Sequence, residues 1–286
     1  MNMRKLNLPA YTISSCVELC ADNIEDKGFT LRLLGAMEDF LNSEKEYIQK
    51  GPSAQLFSIL ENEGVGEWVG GAEMAKLYDK TFVRKNGPTR HIYDAIKLAA
   101  RDGICPLCNQ RVVSTLDHYL SKSEHPALAL VPLNLVPACR DCNSDSAKKQ
   151  PKSAGDQTLH PYFDSADDKI WLVASVQEGA PPGIVFAAEP PQTWSQTKQE
   201  MVKSHFRVFG LGRLYSVHAA GELVNIYYDI CPNDSPLSPF EISEHLKQQA
   251  ANRRHVARNS WQAAMYQALA ESAWFCSGGY GAIVSE

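Results

Sequence analysis

Two Cys-x-x-Cys pairs, Cys105-Pro-Leu-Cys108 and Cys139-Arg-Asp-Cys142, stand thirty residues apart in this chain of 286. No other feature restricts its folding as strongly. Four thiolates in two tight knuckles suit a single tetrahedral ion, and zinc, which prefers sulfur in closed structural sites, fits them. The N-terminus has two early cations but no apolar stretch long enough for a signal peptide, and no apolar run in the chain reaches the length of a membrane span. The expected compartment is therefore the reducing cytoplasm, with no membrane partner, where paired cysteines serve metals more often than disulfides. The remaining cysteines carry less information. Cys16 and Cys20 lie four apart in a helical stretch and read as core, while Cys231 and Cys276 are isolated.

A metal in those knuckles would staple the loop-rich segment 104–165 at both ends. It would gather Asp117, His118 and Asn134 between the pairs and hold Asn143 directly after its last ligand. Taken alone, an Asp-His pair at the end of a strand is usually structural. Its place inside this frame turns the reading toward chemistry.

Helical spacing of apolar residues predicts helices over 17–49, 53–63, 71–81 and 89–101. Two β-favouring runs around a Pro-Pro-Gly turn predict a hairpin over 170–191. Helices are expected again over 193–208, 212–229 and 239–273. The fold class expected is α+β: mainly helical flanks around the cysteine-stapled centre, with a β-hairpin after it. The regions are 1–103, 104–165 and 166–286. With 44% hydrophobic residues the chain can bury a real core, as one large domain or two modest ones.

The net charge of −5 argues against binding nucleic acid over the whole surface, but it leaves room for a local basic face. Residues 80–101 hold six Lys or Arg against Asp94 alone, and residues 247–259 form a second basic stretch. Each is either a phosphate-facing surface or a solvated helix face.

The stretches CPLC, LDHYL and NLVPACRDCN, followed by lysines, resemble the four-cysteine, zinc-bearing HNH endonucleases, whose shared fold is the ββα-metal motif. The close match covers residues 104–150, and a looser one runs through LHPYFD at 159–164. The resemblance places His118 and Asn134 at the first two motif positions and Asn143 at the third, where many members carry histidine. Ser121 stands where proline is usual.

It implies a strand over 111–117, with His118 starting a second strand and Asn143 at the start of the helix packed across both. Asp117 and Asn143 would hold magnesium or manganese. His118 would act as general base on the attacking water. Asn134 would brace the loop and orient His118.

Lys148 and Lys149 would either meet phosphates flanking the cut or form a solvated pair. His160 would be a further metal ligand, a phosphate contact or a hydrogen-bonded core residue. The activity implied is metal-dependent hydrolysis of phosphodiester bonds, with double-stranded DNA as the partner.

The layout also resembles phage-defence nucleases that work with a partner ATPase. The long helical flanks suit either such a partner or a homodimer. The alternative is a non-catalytic, zinc-dependent nucleic-acid-binding module or a regulated subunit of a larger complex.

Overall fold

Short polar residues decide where the helices begin. In the computed structural model, which describes residues 5–146, 151–232 and 235–284, Thr12 caps α1 (Ile13–Ala21) through a reciprocal pair with Ser15. Asp26 caps α2 (Lys27–Gly35) by accepting the Phe29 N–H at 3.0 Å. These caps cut the expected helix 17–49 into three, α1, α2 and α3 (Met37–Lys50). The expected helix 53–63 is replaced by two 3-10 turns, Gly51–Ser53 and Leu56–Ser58. The reason is tertiary. The Gln157 side chain gives Nε2 to the Ala54 carbonyl at 2.6 Å and takes the Phe57 N–H at 2.9 Å, standing in for helical partners.

A two-residue ladder of β1 (Gly64–Val65) and β2 (Val69–Gly70) precedes α4 (Gly71–Leu77), which runs on into a single π-helical turn, Tyr78–Phe82. Next comes α5 (Arg90–Leu98). The strand expected over 111–117 is shorter, β3 (Thr115–His118), and pairs antiparallel with β4 (Leu135–Ala138). His118 therefore ends the first strand and faces Leu135. It does not start the second strand, because residues 119–134 leave the ladder before β4 returns. Directly after β4 comes α6 (Arg140–Ser146), which packs on β3.

The chain divides after Asp164 into two compact units. In the first, Ile13, Leu33, Phe40, Tyr47, Met74 and Ile92 share one core with Leu116, Leu128, Val131 and Leu135. Burying each such side chain is worth about 1.5–3 kcal/mol. The helices before residue 104 and the cysteine-bearing segment are thus held by common packing. Gly51 belongs to this arrangement: a Cβ there would run into the ring of Phe163.

The second unit holds the expected hairpin as β5 (Leu172–Gln177) and β6 (Gly183–Ala188), paired from Leu172↔Ala188 to Gln177↔Gly183. Around it stand α7 (Gln196–Val208), α8 (Leu211–Ile230), α9 (Pro239–Val256), α10 (Trp261–Glu271) and the short α11 (Ala273–Cys276). The expected helix 239–273 is broken between α9 and α10. There Asn259 leaves the helix to accept the Trp171 and Leu172 N–H groups and to donate to the Ala166 and Lys169 carbonyls. The class is α+β. Among the described residues, no helix is long and apolar enough to cross a membrane.

Candidate functional site

The first knuckle is a tight turn closed by its own backbone. Cys105 donates its N–H to Arg111 O, and Asn109 donates to Cys105 O, both at 2.8 Å. Asn109 turns the chain with φ 52°, a left-handed conformation that Asn tolerates. The Arg111 N–H then reaches Cys108 Sγ at 3.5 Å, and in the second knuckle the Cys142 N–H reaches Cys139 Sγ at 3.4 Å.

All four cysteines are buried and their sulfurs lie within 4.8 Å of one another, with Cys108 and Cys139 sulfurs 4.0 Å apart. Tetrahedral zinc, with Zn–S near 2.3 Å, would space its sulfurs by about 3.8 Å. The four sulfurs could therefore hold a metal ion such as zinc. Hydrogen bonds, first from Cys105, pull the Cys139 thiol well below the ordinary range and Cys108 down to about 7. Arg111 and Asp141, 2.9 Å apart, tie the two knuckles together at the rim.

The ladder that follows carries the predicted polar residues. Successive strand residues point to opposite faces, so Asp117 and His118 diverge. Asp117 is buried and its carboxylate accepts the hydroxyl of Ser146, on α6. The same hydroxyl lies 3.0 Å from the Asn143 carbonyl. Asn143 sits one turn into α6, its N–H on Cys139 O at 3.1 Å. One helix thus links the second knuckle, Asn143 and the Asp117 carboxylate.

On the other side, His118 Nε2 is 2.9 Å from the Ala129 carbonyl. A carbonyl only accepts, so Nε2 carries the proton and the neutral ring keeps Nδ1 as its acceptor. The ring is half-buried, with the edge of Tyr78 against it at 4.5 Å between centroids. Burial pushes its imidazole down to about 4, with a smaller push from Lys122. Lys122 itself lies over the Tyr78 ring and pairs with Asp79 at 2.5 Å.

Asn134, fully buried, spans the excursion between the strands. Its Oδ1 accepts the Leu120 N–H at 2.8 Å, and its Nδ2 donates to Leu120 O at 2.9 Å and Leu128 O at 3.1 Å. It does not touch His118. It holds Leu128, the neighbour of the residue whose carbonyl His118 uses.

His160 is a correction to the sequence reading. Its residue is 1% exposed. Nδ1 accepts the Tyr162 N–H at 3.2 Å, which leaves Nε2 protonated, 2.9 Å from Tyr47 Oη. With both nitrogens engaged among Tyr47, Tyr119 and Phe163, it is a core residue and reaches neither nucleic acid nor metal. Lys148 and Lys149 lie outside the described residues. Cys16 and Cys20 are fully buried, and burial lifts the Cys20 thiol to about 12.

Sequence reasoning missed Ser146, Tyr78 and the Ala129 carbonyl. Ser146 was within reach, since it follows Asn143 by three on a helix and shares its face. A backbone carbonyl leaves no mark in a sequence.

No protein-family model and no solved structure matches the chain. It is similar along nearly its whole length to protein Ea31 of Escherichia phage lambda, 28% identical over 300 residues, which covers 96% of this chain and 100% of that protein.

Proposed function

We propose that the chain is a metal-dependent endonuclease of the HNH kind, hydrolysing phosphodiester bonds in double-stranded DNA. The observation that carries this reading is the setting of His118. Its Nε2 proton is committed to Ala129 O, and Nδ1 is left as an acceptor at the last residue of a strand, beside a buried carboxylate. A neutral imidazole held in one tautomer can take a proton from water. Burial keeps it neutral at physiological pH.

Asp117 and Asn143 offer one anionic and one neutral oxygen. That set suits magnesium or manganese, which use few protein ligands and leave places for phosphate oxygens and water. Such an ion would stabilise charge on the phosphorus centre and on the leaving oxygen. Ser146 orients the Asp117 carboxylate, and Asn134 fixes the segment that supplies the carbonyl to His118. Zinc in the four-cysteine pocket would be structural, since four sulfurs close its coordination.

The test is cleavage of supercoiled plasmid with magnesium or manganese. Wild type should nick or cut it, a chelator should abolish the reaction, and His118→Ala should slow it by about 100-fold or more. Plasmid left intact but bound by folded, zinc-loaded protein would instead support a non-catalytic nucleic-acid-binding module. Cutting by His118→Ala at the wild-type rate would remove His118 as the base.

A further inference from the structure

The 20-residue helix α8 is apolar on two faces. One face, with Leu211, Tyr215, Leu223 and Ile226, is buried within its own unit. The outward face carries Val217, Gly221, Val224 and Tyr228, spaced four, three and four apart as in a helix–helix seam. Val217 and Tyr228 are each 65% exposed and Val224 42%. A helix apolar all round belongs in an interior, yet among the described residues nothing covers this second row.

Gly221 points the same way. A glycine in a helix interior is costly, and here its own fold gives no reason for it: an added Cβ would meet nothing within 4 Å. A gap of that kind lets another helix backbone come close.

The row is also complementary to itself. If a second α8 lies antiparallel across it, with a two-fold axis between Ala220 and Gly221, Val217 of each copy faces Val224 of the other. Ala220 faces Gly221, and the exposed guanidinium of Arg213 faces the ring of Tyr228. Among the described residues Arg213 has no ion-pair partner, and a cation over a tyrosine face is favourable. Self-complementarity about a two-fold axis is what a symmetric dimer interface requires. We infer that α8 pairs antiparallel with α8 of a second copy of this chain.

Sedimentation of the full-length protein across a hundredfold concentration range tests this. The expected result is a concentration-dependent monomer–dimer equilibrium. Val224→Glu and Gly221→Leu should each raise the dissociation constant at least tenfold, with helix content unchanged. Register is tested by crosslinking. Every native cysteine is buried, so Val217→Cys and Val224→Cys add one exposed thiol each. A short bismaleimide should join the two variants when they are mixed and neither variant to itself, because like positions would stand about 10 Å apart along the axis. A monomer at every concentration, a dimer indifferent to both substitutions, or crosslinks within a single variant would each overturn the inference.

Discussion

Asn134 and Leu120 meet as a closed pair of amides. The Leu120 N–H reaches Asn134 Oδ1 at 2.8 Å, and Asn134 Nδ2 returns to Leu120 O at 2.9 Å. A third bond goes to Leu128 O, and the side chain is fully buried. Asn134→Ala leaves three backbone groups unsatisfied in the interior, and should cost about 3 kcal/mol of stability. Asn134→Asp should cost as much, because a carboxylate cannot donate to the two carbonyls. Urea unfolding of the three proteins decides it, and a loss below about 1 kcal/mol would show that Asn134 does not brace the segment.

The four-cysteine pocket predicts one tightly held metal per chain, measurable by elemental analysis of the purified protein. Cys142→Ala or exhaustive chelation should remove it and lower stability by at least about 3 kcal/mol, because binding free energy at such a site is folding free energy. Thermal unfolding with and without added zinc reads this out. A metal-free protein as stable as the loaded one would refute a stapling role.

His160 makes stability depend on pH. Burial depresses its folded pKa to about 3, while the unfolded chain titrates near 6.5. Above about 6.5 the residue is neutral in both states and its contribution is fully present. Below that, the unfolded chain takes up the proton and the folded one does not, so stability falls progressively toward pH 3. At pH 5 the loss from this residue should be about 2 kcal/mol. His160→Gln should be less stable than wild type at pH 7, through its lost ring packing, but should decline less between pH 7 and 5. Parallel declines would exclude His160 as a source of the acid sensitivity.

Ser146 joins Asp117 to the helix that carries Asn143. Ser146→Ala removes only a hydroxyl and should cost about 1 kcal/mol in stability. If Asp117 is a ligand of the reactive metal, the same change should slow plasmid cleavage about tenfold or more and raise the magnesium concentration needed for half-maximal rate. An unchanged magnesium dependence would separate Ser146 from that role.

What was legible in the sequence was what local chemistry enforces. Cys105, Cys108, Cys139 and Cys142 converge because a Cys-x-x-Cys turn can hardly point its sulfurs elsewhere. The hairpin β5–β6 follows from Pro181-Pro182-Gly183 between two β-favouring runs. What stayed hidden depends on partners far along the chain. Tyr47 meets His160 across 113 positions, and Gln157 reshapes the turn at Ala54 across 103. Asn259 interrupts an otherwise helical stretch only because the strand at Trp171 needs an acceptor. No periodicity within a short window carries such information.

The two knuckles flank a ladder whose residues Leu116 and Leu135 enter the same interior as Ile13, Phe40 and Ile92. Bringing the knuckles together closes a loop of thirty residues, an entropic cost of about 3–4 kcal/mol that must be met before the helices have a surface to bury against. A cation that captures all four sulfurs meets it early. Its first effect is therefore on time: how soon after synthesis the apolar faces of α1, α3 and α5 are covered. A cell short of that cation would accumulate chains waiting with those faces open, the state most exposed to aggregation and degradation. Metal supply would then set how much protein survives its own synthesis, before any substrate is met.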